Sequence, residues 1–224
     1  MAVDSLARQF QLVQTQVALP GLELDLVHPK SADDLISEED FAVDERLPYW
    51  ANLWPSARVL ARRVAAEQGA GGSFLELGAG LGLPSLVAAA RGFEVLATDY
   101  YEAALEFIRV NAERNRITGI RTELVDYRRL PAALGKFDLV AASDVLYEKP
   151  YAALVADAFA QCLADGGLGL LTDPNRQVAA PFADECRRRG LEAQQADRTI
   201  ELEGRTSVTV NLLEIRQAAA GAAT

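Results

Sequence analysis

The chain contains very few histidines and cysteines, so functional sites that need several of these residues are not expected. Its 224 residues include one histidine and two cysteines. Cys162 and Cys186 have neither CxxC spacing nor a partner histidine, so neither a metal site nor a disulfide is expected, and two free thiols fit a reducing compartment. His28 precedes Pro29 in a stretch that we interpret as a loop, and one histidine is too few for a metal centre or a Ser-His-Asp triad.

The sequence also lacks long uncharged apolar runs. None approaches the roughly 18 residues that a membrane-spanning helix needs. The first ten residues, MAVDSLARQF, contain no basic segment followed by an apolar core, which is the pattern of a signal peptide. We therefore expect a soluble, cytoplasmic protein with no membrane partner.

Basic residues are too few for a surface that binds nucleic acid. Asp and Glu number 32 against 22 Lys and Arg, a formal net charge of −10, whereas phosphate neutralisation requires a basic surface. Residues 1–50 alone carry ten acidic and three basic residues, a formal charge of −7. This acidic segment is either a solubilising front end or a rim that attracts a cationic partner.

Apolar runs of strand length alternate with helical patterns along most of the chain. Strands are predicted at 73–77, 93–98, 121–125, 137–142 and 167–172, helices at 83–91, 102–115, 151–163 and 179–189, and closing β-rich stretches at 191–201 and 207–215. Such β-α-β order predicts an α/β fold, a Rossmann-like seven-stranded, mostly parallel sheet with helices on both faces and an antiparallel closing hairpin.

The length allows one well-buried domain. Apolar residues on either side of Pro20-Gly21 predict an N-terminal β-hairpin. We assign residues 1–50 to this hairpin and an acidic connector, as part of the same domain. Residues 51–217 form the main domain and 218–224 a flexible tail.

The strongest local pattern is LELGAGLGLP at 75–84, where a strand runs into Gly78, Gly80 and Gly82. Such glycines let a ligand approach the backbone at a helix N-terminus. A dinucleotide site has G-x-G-x-x-G, but the third position of that pattern is Leu83 here. The carboxylate of Glu76 suits a cationic ligand, which favours S-adenosylmethionine over NAD.

Polar residues follow further strands of the predicted sheet. Asp99 ends the second strand, where its carboxylate can accept both hydroxyls of a ribose, and Asp126 and Tyr127 follow the third, where either can address an adenine. In an open parallel sheet, ligands bind beyond the carboxyl ends of the strands. Each residue alone could cap a helix, but together they predict a nucleoside cofactor.

These residues resemble the motifs of a known family. Glu76–Gly82, Asp99, Asp126 and the segment 138–147 are similar to those of class I (seven-β-strand) S-adenosylmethionine-dependent methyltransferases. PYWANLWPSARVL at 48–60 resembles the Trp-bearing segment of the methyltransferase-like protein lysine methyltransferases. Ser143–Tyr147 matches their Asp-x-x-Tyr motif.

The resemblance implies a role for each matching residue. Trp54 would pack against the cofactor, Ser143 would contact it, and Asp144 and Tyr147 would orient the incoming amine and line its channel. The implied cofactor contacts are Trp54, Glu76, Gly78, Ala79, Gly80, Gly82, Asp99, Tyr100, Asp126, Tyr127 and Ser143. Asp173–Arg176 resembles the Asp-Pro-Gly-Arg of a branch that modifies a flavoprotein, with Asn175 in place of Gly.

The resemblance implies a methyltransferase that uses S-adenosylmethionine, releases S-adenosylhomocysteine and methylates a lysine amine of a protein. The alternatives are a small-molecule N-methyltransferase acting on a nicotinamide-like amine and a non-catalytic cofactor-binding scaffold. We expect a monomer with a protein or small-amine substrate and no nucleic-acid partner. Asp144 could instead cap the helix near 150, and Trp54 and Tyr147 could be core aromatics. Tyr49, Trp50 and Trp54 could add cation–π contacts to an ammonium or sulfonium group.

Overall fold

The computed structural model describes residues 2–32, 35, 48–203 and 206–218. The strands in these ranges are β1 (Leu12–Leu19), β2 (Leu22–Pro29), β3 (Ser73–Leu77), β4 (Glu94–Asp99), β5 (Ile120–Leu124), β6 (Phe137–Ser143), β7 (Leu163–Asp173), β8 (Leu191–Glu203) and β9 (Thr206–Gln217). The helices are α1 (Ala2–Gln9), α2 (Pro55–Ala65), α3 (Leu83–Ala90), α4 (Glu102–Arg114), α5 (Tyr151–Cys162) and α6 (Phe182–Arg188).

Seven of the strands form one sheet in the order β5-β4-β3-β6-β7-β9-β8. The first five strands in this order are parallel, and β9 runs antiparallel between β7 and β8. The chain leaves β3 toward one edge and returns to β6 beside it, so the strand order reverses there, which is where open α/β sheets bind ligands. The predicted seven-stranded, mostly parallel α/β fold with an N-terminal hairpin is confirmed.

Successive residues of the central strand point to opposite faces of the sheet, as the pleat of a strand requires. Phe74 packs on one face in a cluster that includes Leu60 of α2 and Leu86 of α3. Leu75 packs on the other face in a cluster that includes Val155 of α5 and Cys186 of α6. Helices therefore cover both faces, as predicted.

The β1–β2 hairpin is attached to the rest of the domain through Asn111 of α4 and Asn115, the residue that follows this helix. Asn111 accepts a hydrogen bond from the amide of Val27 at 2.8 Å and donates to its carbonyl at 3.0 Å. Asn115 makes the same pair of bonds with Asp25, at 2.9 and 3.0 Å. Each side-chain amide thus satisfies backbone groups of β2 that would otherwise lack partners.

Some expectations from the sequence were wrong or incomplete. His28 lies within β2, not in a loop, and hydrogen bonds join its ring to Thr15 Oγ1 at 2.9 Å and to Pro29 O at 2.8 Å. Helices α1 and α2 were not predicted. The helix expected at 179–189 begins only at Phe182, after Pro181.

Most of the predicted acidic connector, residues 33, 34 and 36–47, and the tail residues 219–224 lie outside the described residues. Within the described ranges, no helix has the length and apolarity needed to cross a bilayer. The division of the chain into domain and tail stays a prediction.

We predict that Asn111→Ala lowers the free energy of unfolding by about 2–4 kcal/mol, because it leaves the buried amide and carbonyl of Val27 unpaired. Urea unfolding measures this change. Glu113→Ala, at an exposed position of the same helix, is the control and should alter stability by less than about 0.5 kcal/mol. Equal effects of the two substitutions would contradict the role of Asn111.

Candidate active site

The loop after β3 depends on glycine at two positions where another side chain would collide. Gly80 has φ of 53°, and a Cβ on it would lie 3.2 Å from the carbonyl oxygen of Trp50. Gly82 has φ of 68°, and its Cβ would lie 2.6 Å from Ile108 Cγ1. Both need the left-handed conformation and close approach that glycine permits. The loop therefore passes close under the segment around Trp50 and enters α3 directly.

The carboxylate of Asp99 joins the end of β4 to this loop. Its Oδ2 accepts a hydrogen bond from the amide of Gly80 at 2.8 Å, and its Oδ1 accepts one from Tyr101 at 2.9 Å. The residue is 6% exposed, and burial raises the pKa of its carboxyl. Asp99 thus fixes the loop beside the cavity, and its contact with a ribose stays a prediction.

Glu76 is fully buried, and the structure does not bring it to the cavity. Its Oε2 accepts hydrogen bonds from the amide and the hydroxyl of Ser85 at 2.9 and 2.5 Å, while Oε1 has no partner among the described residues. Burial raises the pKa of Glu76 from its ordinary 4.5 to about 8. In this geometry the side chain anchors the start of α3 behind the glycine loop, which corrects the predicted direct contact with a cofactor.

A cavity of about 410 Å³ opens beyond the carboxyl ends of β3, β4 and β6. Its lining includes ten of the eleven predicted cofactor contacts, all but Glu76, together with both predicted catalytic residues. These are Trp54, Gly78, Ala79, Gly80, Gly82, Asp99, Tyr100, Asp126, Tyr127, Ser143, Asp144 and Tyr147. Residues from four strand ends and from the segment before α2 therefore meet in one place.

Aromatic rings form one wall of the cavity. The ring of Tyr147 lies edge-on to those of Tyr49 and Tyr151, with centroids 5.7 and 4.8 Å apart. Trp54 donates its indole N–H to the carbonyl of Tyr49 at 2.7 Å. Burial raises the pKa of the Tyr147 and Tyr127 hydroxyls, so both stay neutral. Trp54 and Tyr147 are half-buried at the cavity, which disfavours the alternative of core aromatics.

Trp50, in contrast, is a core residue. It is 8% exposed, and its ring centroid lies 6.0 Å from that of Phe10 and 5.6 Å from that of Phe107. Although Trp50 also borders the cavity, its ring is packed among other aromatics. The cation–π contact suggested for it from the sequence does not fit this placement.

At one end of the cavity, Asp126 is paired with a neighbouring arginine. Asp126 Oδ1 accepts the amide of Arg128 at 3.0 Å and its Oδ2 accepts Nη2 at 2.6 Å. The Arg128 guanidinium lies over the ring of Tyr100, 5.5 Å from the centroid. This carboxylate therefore already holds the turn Tyr127–Arg129, and Arg128 is a cavity residue that sequence reasoning missed.

Asp144 lines the same cavity just past β6, with a left-handed backbone. Its φ is 62°, its amide donates to Thr172 O at 2.9 Å, and its side chain is 8% exposed and forms an ion pair with Arg176. Helix α5 begins after Pro150 with no side-chain cap. Asp144 therefore does not cap that helix, and its carboxylate is turned toward the cavity wall.

Several cavity residues had no predicted role: Arg128, Glu148, Tyr151 and Arg176. Arg176 belongs to the segment 173–176 that the sequence singled out, but nothing in the sequence pairs it with Asp144. No group of three or more potential metal ligands was found in the described part of the chain.

Comparison with known proteins agrees with this geometry. A family profile described as a methyltransferase domain matches residues 49–208, which include every residue that lines the cavity. Among solved structures, a Thermus thermophilus 16S rRNA methyltransferase in complex with AdoMet and guanosine superposes with a TM-score of 0.62 at 15% identity, covering 93% of this chain and 51% of that chain. This likeness shows the fold.

Curated relatives match the chain in part. The Mus musculus protein N-lysine methyltransferase METTL21A is 38% identical over 105 residues, 43% of this chain and 48% of that protein. The ubiquinone biosynthesis O-methyltransferase of Psychrobacter arcticus is 32% identical over 114 residues, 50% of this chain and 44% of that protein. The chain spans about half the length of these relatives.

We predict that Glu76→Gln flattens the pH dependence of stability. Because the pKa of Glu76 is raised in the folded protein, the folded protein keeps a proton on Glu76 that the unfolded chain loses. The contribution of this proton to the free energy of unfolding is complete below about pH 4.5 and declines as the pH rises to about 8. Between pH 5 and 8 the free energy of unfolding of the wild type should fall by on the order of 2–4 kcal/mol relative to that of the variant.

Urea unfolding at several pH values measures that difference. Glu94→Gln, at an exposed position of β4, is the matched control and should follow the wild type. Parallel curves for wild type and Glu76→Gln would show that Glu76 titrates as an ordinary carboxyl.

Proposed function

The chain belongs to the class I S-adenosylmethionine-dependent methyltransferases, and from that premise we propose that it methylates the side-chain amine of a lysine in a protein substrate. The observation that carries the proposal is the arrangement of one cavity. The glycine loop, Asp99, Asp144 and the aromatic wall line this one cavity together.

The glycine loop and the residues Asp99, Trp54 and Tyr127 fit S-adenosylmethionine. The glycine loop leaves no side chain between the backbone and a ligand, and the Asp99 carboxylate is held at the loop by two backbone amides. Trp54 and Tyr127 present aromatic surfaces, which suit a sulfonium and an adenine respectively. When bound, S-adenosylmethionine supplies a methyl group on a positively charged sulfur.

Asp144 and the aromatic wall suit an amine acceptor. A lysine is protonated at neutral pH, with a reference pKa near 10.4, and must lose its proton before its nitrogen can attack. The apolar rings of Tyr49, Trp54 and Tyr147 lower the pKa of an amine placed among them by excluding water. Once the amine has released its proton to solvent, the Asp144 carboxylate would accept a hydrogen bond from the amine nitrogen and hold it in place for methyl transfer.

Charge and sequence similarity support a protein acceptor. The net charge of −10 favours a basic, lysine-bearing partner over nucleic acid, and a 38% identical relative is named as a protein N-lysine methyltransferase. We extend the proposal to a monomeric, cytoplasmic enzyme. Methyl transfer to a small molecule is the second candidate, because a relative named as a ubiquinone biosynthesis O-methyltransferase is 32% identical.

Radiolabelled S-adenosylmethionine distinguishes the two candidates. The protein is incubated with the labelled cofactor and a cell lysate, and the label is then separated by size. We expect label in the protein fraction. Label confined to small molecules would contradict the proposal and favour the second candidate.

We predict that Asp144→Asn lowers the rate of methyl transfer by at least about 100-fold, because an amide attracts and orients an amine more weakly than a carboxylate. The affinity for S-adenosylmethionine, measured by calorimetry, should stay within a few-fold. Asp165→Asn, at an exposed position of β7, should leave both quantities unchanged. Wild-type turnover in Asp144→Asn would remove Asp144 from the mechanism.

A further inference from the structure

The guanidinium of Arg176 connects the acceptor side of the cavity to the end of β7. Its Nη2 forms an ion pair with Asp144 Oδ1, and its Nη1 donates to Asp173 Oδ2 at 3.2 Å. The backbone amide of Arg176 also donates to Asp173 Oδ1, at 2.7 Å. One guanidinium thus bridges two carboxylates that follow neighbouring parallel strands, a task suited to the planar fork of arginine.

The loop that carries Arg176 is held in a defined conformation. Asn175 has φ of 60°, which asparagine tolerates better than most residues, and its side-chain carbonyl accepts a hydrogen bond from Asn211 of β9 at 2.9 Å. Asp173 is 3% exposed. The anchor of the guanidinium therefore belongs to the core of the sheet.

Asp144 forms its ion pair with Arg176 from a left-handed backbone. Its φ is 62°, its amide donates to Thr172 O, and its carboxylate pairs with Arg176. The side chain is 8% exposed and that of Arg176 is 30% exposed, so the pair is only partly screened by water. The direction of the carboxylate therefore depends on Arg176.

Resting on the function proposed above, we propose that Arg176 is a positioning residue: anchored by Asp173, it holds the Asp144 carboxylate toward the amine acceptor. The guanidinium thus joins a carboxylate buried at the end of β7 to one that lines the cavity.

The test compares Arg176→Ala, Arg176→Lys and the control Arg109→Ala. Arg109 is also ion-paired, with Glu102, but is exposed on α4 away from the cavity. Each protein is incubated with saturating radiolabelled S-adenosylmethionine and the protein fraction of a cell lysate, and label in methyl-lysine is counted after hydrolysis. Calorimetry with S-adenosylmethionine and thermal unfolding report on cofactor binding and on the fold.

We expect Arg176→Ala to lower the initial rate by about 30-fold or more, because a partly buried carboxylate loses its partner. Arg176→Lys should recover part of the rate, since it keeps the charge but not the fork. Adding about 20 mM guanidinium chloride, far below the molar concentrations that unfold proteins, should restore part of the rate of Arg176→Ala, and the same concentration of sodium chloride should not. Cofactor affinity should stay within a few-fold, and Arg109→Ala should match the wild type.

The outcomes separate this inference from the proposed function. A wild type that forms no methyl-lysine contradicts the proposed function and the inference with it. A wild type that forms methyl-lysine, together with an unimpaired Arg176→Ala, contradicts the inference alone. A second result also overturns the inference. In it, the lower methylation rate of Arg176→Ala is accompanied by an equally reduced affinity for S-adenosylmethionine or by reduced thermal stability, and guanidinium does not restore the rate. The role of Arg176 is then structural.

Discussion

The pair of hydrogen bonds that Asp99 accepts from the amides of Gly80 and Tyr101 determines the shape of the cavity. These bonds join the end of β4 to the loop after β3, which glycine alone can form at its left-handed positions. The loop then leads into α3, whose start is anchored from behind by Glu76. A cavity edge with a fixed carboxylate and accessible backbone follows from these contacts.

The same kind of bridge recurs at the next two strands. Asp144 follows β6, Asp173 ends β7, and the guanidinium of Arg176 joins the two carboxylates. In both places a short polar bridge connects loops that follow neighbouring parallel strands, because such strands place their carboxyl ends at one edge of the sheet. The rings of Tyr49, Trp54 and Tyr147 line the same cavity.

Local patterns were sufficient to predict the sheet, whereas the cavity residues Trp54, Ser143 and Tyr147 were predicted from the family resemblance of their motifs. The run 73–77 and the glycines after it coincide with β3 and its loop, because apolar runs and glycines have strong local preferences. The bridge from Arg176 to Asp144 spans 32 positions and depends on tertiary packing. Glu76 was assigned to the ligand because its position in the sequence does not reveal which helix covers its face of β3. His28 was misread because Pro29, at the end of β2, resembled a loop residue.

The central claim is that this cavity delivers a methyl group to the amine of a protein lysine. Acid hydrolysis of the labelled protein fraction, followed by amino-acid analysis, tests it most directly, because it identifies the atom that receives the methyl group. We expect the label to co-elute with methylated lysine. Label in methylated arginine, in base-labile esters or in no protein residue would contradict the account.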